Sequence, residues 1–425
     1  MRERSPRRAP PAVDGFRATC WLFLLLVEQA VSVPCRLSSR HTSPAYAGWT
    51  AVVATLNRLR IAIVGTRGIP ARYGGFETFA EELSTRLVRR GHSLTIYCRE
   101  RYPQSSYLGV RLQYLPSIRH KYLDTVAHTF FSTMHVAMER FTARKQDAVI
   151  YCNAATAYCT WIPRVLGIPV ALNVDGLEKH RKKWNRLAKA WYQMSEWLAT
   201  WMPNVVITDA QRIAEYYQQR YHRSSEMISY GADVGPVPTA AVLDRLGLER
   251  RKYFLFVSRM EPENNGLAVR EAFETLETPF KLALIGDAPY AAEYIRRVRD
   301  TTDPRVVMPG AIYGEGYREL GSHCFAYVHA TEVGGTHPAL IEAMGRGALT
   351  LYLDNPENAE VAGGAGLPFT LETLPEVMRQ IFQMSEAERE LWRQRATERV
   401  RSRYSWDAVT DAYESLLKRL ACGAG

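Results

Sequence analysis

Three stretches of the chain combine glycines, arginines and carboxylates in ways that suit handling an anion. The first is Gly65-Thr66-Arg67-Gly68-Ile69-Pro70-Ala71-Arg72-Tyr73-Gly74-Gly75-Phe76-Glu77. Its four glycines let backbone N–H groups approach an anionic group, and a following helix adds its positive N-terminal end. Arg67 and Arg72 can add charge. The spacing is not G-x-G-x-x-G, which disfavours a dinucleotide dehydrogenase. The second is Ser258-Arg259-Met260-Glu261-Pro262-Glu263-Asn264-Asn265-Gly266. An arginine at the end of a strand can neutralise a departing diphosphate. Arg259 can equally form a surface ion pair with Glu261 or Glu263. The third is Glu332-Val333-Gly334-Gly335-Thr336-His337-Pro338-Ala339-Leu340-Ile341-Glu342-Ala343-Met344, a glycine turn that opens a helix. Such a helix start can face phosphate or sugar oxygens. Glu342 sits among apolar neighbours, where a carboxylate is costly without hydroxyl or N–H partners. A ribose diol would supply them; a solvent-facing or capping position is the alternative.

These stretches need a frame that brings them together. Arg60 to Val64 is a short apolar run ending in Gly65, as in a buried parallel strand entering a loop. Glu77 to Arg90 reads as an amphipathic helix with Phe79, Leu83 and Leu87 on one face. Further strands are expected at 94–97, 148–151, 170–174 and 205–207, separated by helical stretches. The pattern restarts with strands at 253–257, 281–285, 306–308, 325–328 and 348–353. This alternation predicts two doubly wound α/β halves. Pro236 and Pro238 mark the linker, giving an acceptor-side domain at 59–235 and a donor-binding domain at 236–400. Residues 401–425 form a terminal helix that packs back on the first domain. Two such halves place a ligand cleft between their strand C-termini.

Composition narrows the class. With 47% hydrophobic and 23% charged residues, the 425-residue chain has room for two ordinary globular cores. Nine arginines and three acidic residues fall in residues 1–60, so much of the net charge of +10 lies there and gives no argument for nucleic-acid binding. The seven cysteines are scattered and read as free thiols. Residues 1–58 look foreign to the rest. Their apolar run, Trp21 to Val27, is too short to span a bilayer. A signal peptide or an over-extended start with the protein proper beginning near Leu56 would both explain them, and the second fits a cytoplasmic enzyme better.

Together the three stretches resemble family 4 glycosyltransferases, most closely the subgroup with a rhamnosyltransferase-like N-terminal domain. The resemblance is carried by Gly65–Pro70, Tyr73–Glu77, Asp175-Gly176-Leu177-Glu178, Glu261–Asn265, Val333–Thr336 and the ending Tyr404-Ser405-Trp406-Asp407. It extends over about residues 60 to 420. It implies a GT-B fold, two Rossmann-like doubly wound parallel-sheet domains facing a central cleft. It also implies a nucleoside-diphosphate sugar donor, retention at the anomeric carbon, and neither metal nor other cofactor. By position, Arg259 would hold the donor diphosphate and Glu342 the ribose. Gly334, Gly335 and Thr336 would face the sugar, with Gly74, Gly75 and Asn264 also on the donor side. Asn264 replaces the family's usual lysine. Gly334 replaces the first glutamate of the usual E-x7-E pair, and Glu332 is the substitute. His337 stands where the subgroup has asparagine. His128 would be the N-terminal-domain histidine that reaches the transferred sugar, with a packed helix histidine as the alternative. Asp175, Glu178 and Arg67 are acceptor-side candidates, and a solvated turn is the alternative for the first two.

The expected acceptor is a glycan or a polyprenyl-linked glycan, and the first donor expectation is rhamnose on deoxythymidine diphosphate. Residues His180 to Trp201 read as a helix with Arg181, Lys182, Lys183, Arg186 and Lys189 near its start and four tryptophans interleaved. Trp184, Trp191 and Trp201 fall on one face. That pattern suits the interface of an anionic bilayer, and hence peripheral attachment to the inner face of the plasma membrane; a core-facing stripe is the alternative. Competing functions are an NDP-sugar 2-epimerase, a phosphorylase, and a degenerate sugar-binding protein on the same fold.

Overall fold

The computed structural model describes residues 58–423, apart from 73, 119, 121–122, 177–185 and 289. The leader, Glu178, Arg181, Lys182, Lys183 and Trp184 lie outside the described residues.

Two sheets organise the chain. The first contains β1 (Arg60–Val64), β2 (Ser93–Cys98), β3 (Ser106–Tyr107), β4 (Val110–Tyr114), β5 (Ala148–Cys152), β6 (Val170–Asn173), β7 (Val205–Thr208) and β8 (Glu226–Met227). Their spatial order is β3-β4-β2-β1-β5-β6-β7-β8. All pairings are parallel except β3 with β4. The second contains β9 (Tyr253–Val257), β10 (Lys281–Ile285), β11 (Val306–Gly310), β12 (Ala326–His329), β13 (Thr350–Leu353) and β14 (Leu367–Phe369), in the order β11-β10-β9-β12-β13-β14 and wholly parallel. Central strands such as β5 are buried throughout, which is why they read as unbroken apolar runs rather than alternating ones.

In each sheet the strand order reverses once, between β1 and β5 and between β9 and β12. Ligands of doubly wound sheets bind at such a reversal, outside the strand C-termini. Gly65 ends β1 there with φ +100°, and a Cβ on it would lie 2.4 Å from the Cys152 carbonyl oxygen. Only glycine fits so tight an exit.

The chain passes from one sheet to the other through 234–240 and returns at its end. Helix Trp406–Ala421 packs on helix Gly75–Arg89 of the first half: the Phe79 and Tyr413 rings are 5.2 Å apart. Asn173 Nδ2 donates to the Tyr413 hydroxyl at 2.9 Å. Arg90 reaches Asp411 and Glu414.

The helix expected at 180–201 is described over Arg186–Ala199. Of the three tryptophans expected on one face, Trp184 lies outside the described residues, and Trp191 and Trp201 part ways because the helix ends at Ala199. Trp191 packs against Tyr158, with ring centroids 5.6 Å apart, and its indole nitrogen is buried. Trp197 and Trp201 are exposed and pair with each other at 5.3 Å. The turn at 154–159 fills the space on the Trp191 side, which the helix pattern alone does not reveal.

Candidate active site

A cleft of about 940 Å³ opens between the two halves. Its lining residues follow strand C-termini in both sheets: Arg67 after β1, Arg99 after β2, Asp175 after β6, Asp209 after β7, Arg259 after β9 and the 333–338 turn after β12. Its size and its place at the reversals match a small-molecule site.

Arg259 faces this cleft and is about one-third exposed. Its Nε lies 3.9 Å from Glu261 Oε2, too long for a hydrogen bond, so the ion-pair alternative is met only loosely. Asn264 is buried and donates from Nδ2 to the Arg259 carbonyl at 2.7 Å. Its amide therefore fixes the arginine's backbone. A lysine there could not be enclosed so cheaply.

Glu342 is half-buried at the cleft wall. The Tyr230 hydroxyl donates to Oε1 at 3.0 Å and the Tyr317 hydroxyl to Oε2 at 2.6 Å. The hydroxyls that compensate this carboxylate are therefore present in the protein itself. A ribose would join that cluster rather than be its sole partner. Burial still pushes the Glu342 carboxyl above its ordinary value.

The 334–336 turn touches the opposite half. Gly334 and Gly335 line the cleft. Thr336 is less available than expected: its N–H donates to Asp209 Oδ2 at 2.9 Å and its hydroxyl to the Asp209 carbonyl. Gly176 abuts this turn so closely that a Cβ would lie 2.7 Å from the Gly335 nitrogen. Gly75 likewise faces Pro338.

Asp209 was not singled out by its sequence context, although it ends a strand at the ligand edge. Burial, then the charge of Asp175, raise its carboxyl to about 7. Between its ordinary value of 3.8 and about 7, the folded protein holds a proton that the unfolded chain has released. Stability therefore falls as pH rises through that window. An Asp209→Asn variant lacks this penalty while keeping an acceptor for Thr336. Its melting temperature relative to the parent is expected to increase from pH 4 to pH 7 and then level off. A difference independent of pH would contradict the assignment.

On the N-terminal half, Arg99 Nη1 donates to Asp124 Oδ2 at 2.7 Å, and Arg67 Nη2 lies 3.9 Å from the same oxygen. Burial opposes ionisation of Asp124, but Arg99 outweighs it and holds the carboxyl below its ordinary value. The Arg67 N–H also donates to Glu77 Oε1 at 2.9 Å. Gly74 and Asp175 line the cleft as expected, and Asp175 takes φ +59° with its N–H on Asn173 Oδ1.

Two expected residues are elsewhere. His128 has no exposed surface and is absent from the cleft wall. Burial, then the charge of Arg99, lower it to about 4, so it is a neutral packed histidine. Glu332 also turns away from the cleft. Thr331 and Val333 line it, and the intervening Glu332 accepts from Asn265 Nδ2 at 3.1 Å. The segment lies past the end of β12, in an irregular loop, and there its Asn265 contact holds Glu332 on the side away from the cleft. The histidines that do line the cleft are His120, His329 and His337. The His329 and His337 rings are 4.9 Å apart. Burial, then His337, hold His329 well below its ordinary value. His120, His329 and Arg99 follow or end strands, and that position was the signal by which they could have been found.

Comparisons with known proteins extend this geometry. A family model described as a domain of unknown function, DUF1972, matches residues 59–233. No curated protein sequence matches the chain. Among solved structures, sucrose-phosphate synthase from Thermosynechococcus elongatus superposes with a TM-score of 0.73 at 17% identity, covering 86% of this chain and 100% of that one. Anabaena HepE in complex with UDP and glucose gives 0.69 at 14% identity, covering 85% and 100%. The fold is GT-B. WaaG, a glycosyltransferase involved in lipopolysaccharide biosynthesis, shares it with a TM-score of 0.64 at 14% identity, covering 84% and 99%. In a GT-B chain the two Rossmann-type halves face one cleft, as the two strand reversals do here.

Proposed function

We propose that this protein is a glycosyltransferase that takes its sugar from a nucleoside diphosphate. One observation carries the reading: Arg259 and the 334–336 turn, both at strand ends of the second sheet, meet the strand ends of the first across one cleft. Arg259 supplies fixed positive charge where a departing diphosphate gathers negative charge. The Gly334-Gly335 backbone, just before helix Pro338–Gly345, offers close approach to the sugar. Glu342, already held by two tyrosine hydroxyls, accepts from the ribose. Arg67 and Asp175 stand across the cleft for the acceptor. HepE, solved on the same fold with UDP and glucose, supports a nucleotide sugar as the class of substrate.

In finer terms, the reaction is a retaining transfer, with rhamnose from deoxythymidine diphosphate as the first donor to try. The acceptor is a glycan or a polyprenyl-linked glycan, met at the inner face of an anionic membrane. Titrating nucleoside diphosphates into the protein in a calorimeter, then analysing products with candidate donors, tests the reading. Binding with transfer supports it; binding with only an epimerised donor, or no binding, opposes it. Glu342→Ala is expected to weaken nucleotide affinity by roughly 1–3 kcal/mol, the scale of a charged hydrogen bond. Unchanged affinity in the calorimeter would remove Glu342 from the ribose site.

A further inference from the structure

Helix Asp124–Glu139 is inverted relative to a helix that faces water. Its buried side is mostly polar, with His128, Thr129, Ser132, Thr133 and Glu139 beside only Val136 and Ala137. Its exposed side carries Phe130, Phe131, Met134 and Met138, continued by Phe141 just past its end, which is 81% exposed. At about 100° per residue these five fall within roughly 100° of the helix circumference. Water normally takes the polar face, so this stripe needs an apolar environment.

The stripe has a neighbour. Helix Arg186–Ala199 exposes Leu187, Met194 and Trp197, followed by Trp201. Tyr158 bridges the two helices, donating to the Val126 carbonyl at 2.6 Å and packing its ring on Trp191. The 161–166 segment bridges their ends. Arg140 Nε donates to the Leu166 carbonyl at 2.9 Å, and Arg164 Nη1 to the Trp201 carbonyl at 2.7 Å. Exposed Trp161 and Val165 lie on that bridge.

Charge identifies the occupant. Residues 118–203 hold twelve Lys and Arg against six Asp and Glu. The acids described there are withdrawn. Glu139 is buried on Arg111, Glu196 is buried beneath Tyr216 and Tyr221, and Asp147 is bonded by the Arg60 N–H. Asp124 and Asp175 face the cleft. Arg144, Arg164, Arg186 and Lys189 remain exposed around the apolar face.

We propose that these two helices dock the protein on the interface of an anionic lipid bilayer. Aromatic and methionine side chains enter the headgroup boundary and the surrounding cations meet the lipid charge. Attachment is peripheral, because no helix among the described residues is long and apolar enough to cross a membrane. Asp124 and Thr125, which begin the inverted helix, also line the cleft. Docking therefore brings the N-terminal wall of the site to the lipid surface. The inference rests on the lipid-linked acceptor only for its purpose; the face itself stands independently.

Flotation of the full chain with vesicles of a zwitterionic lipid alone, or mixed with an anionic lipid, tests it. The parent should float with the mixed vesicles, and a Phe130→Ser, Phe131→Ser, Met138→Ser variant should partition about tenfold or more weakly. An Arg186→Glu, Lys189→Glu variant should lose most of the preference for anionic lipid. All three should release nucleoside diphosphate from the donor at equal rates in lipid-free solution. Equal partitioning of parent and apolar variant overturns the docking face. So does a parent dimer, by light scattering, that the apolar variant converts to monomer, since a second copy would then cover the stripe. Vesicle binding without any donor turnover leaves this inference standing and removes the transferase reading instead.

Discussion

Arg259→Ala is expected to lower turnover by roughly a hundredfold or more, because a fixed cation beside a leaving diphosphate acts mainly in the transition state. The side chain is one-third exposed and its contact with buried Glu261 is long, at 3.9 Å, so its loss costs stability less than it costs turnover. The melting temperature should therefore move little, and nucleotide affinity should fall less than turnover. Steady-state release of nucleoside diphosphate, read beside a thermal melt, checks this. A folded variant with near-normal turnover would remove Arg259 from the diphosphate site.

Gly176→Ala should rival that loss by a different route. The new Cβ would stand 2.7 Å from the Gly335 nitrogen and 2.9 Å from the Gly334 carbonyl carbon, both backbone atoms that cannot swing aside. The two halves must then part at the 334–336 turn, where the proposed function sets the sugar. Misplacing reacting groups by about 1 Å costs on the order of a hundredfold in rate. We expect kcat/KM to drop by about that much while each half keeps its own core. Full activity in the alanine variant would show that the Gly176–Gly335 approach is not needed for catalysis.

The strand pattern was legible because buried parallel strands leave unbroken apolar runs, and β1, β5, β9 and β12 were all found that way. That Arg259 and the 333–336 turn would lie at the cleft was legible because both follow strands at the ligand edge of a doubly wound sheet. The partners of Glu342 were not: Tyr230 lies 112 residues away and Tyr317 25 away, and no local pattern links them. His128 misled for a physical reason. Its helix buries its polar side, so a histidine on the polar face went into the core instead of the cleft. Glu332 lies in an irregular loop after β12, where Asn265, 67 residues away in sequence, holds it off the cleft, and no local pattern announces that contact. Asp209 escaped notice because its importance depends on Thr336, which is 127 residues distant and on the other half.

On the proposed function, a nucleotide-sugar donor is held across the two halves with its diphosphate on Arg259. A screen of nucleotide sugars for release of nucleoside diphosphate, run with parent and Arg259→Ala protein side by side, tests it most directly. The parent is expected to release nucleoside diphosphate from at least one donor, faster when a glycan or lipid-linked acceptor is added, and the variant at a roughly hundredfold smaller rate. Release at equal rates by both proteins, or no release and no nucleotide binding by a folded parent across the whole donor set, would contradict it.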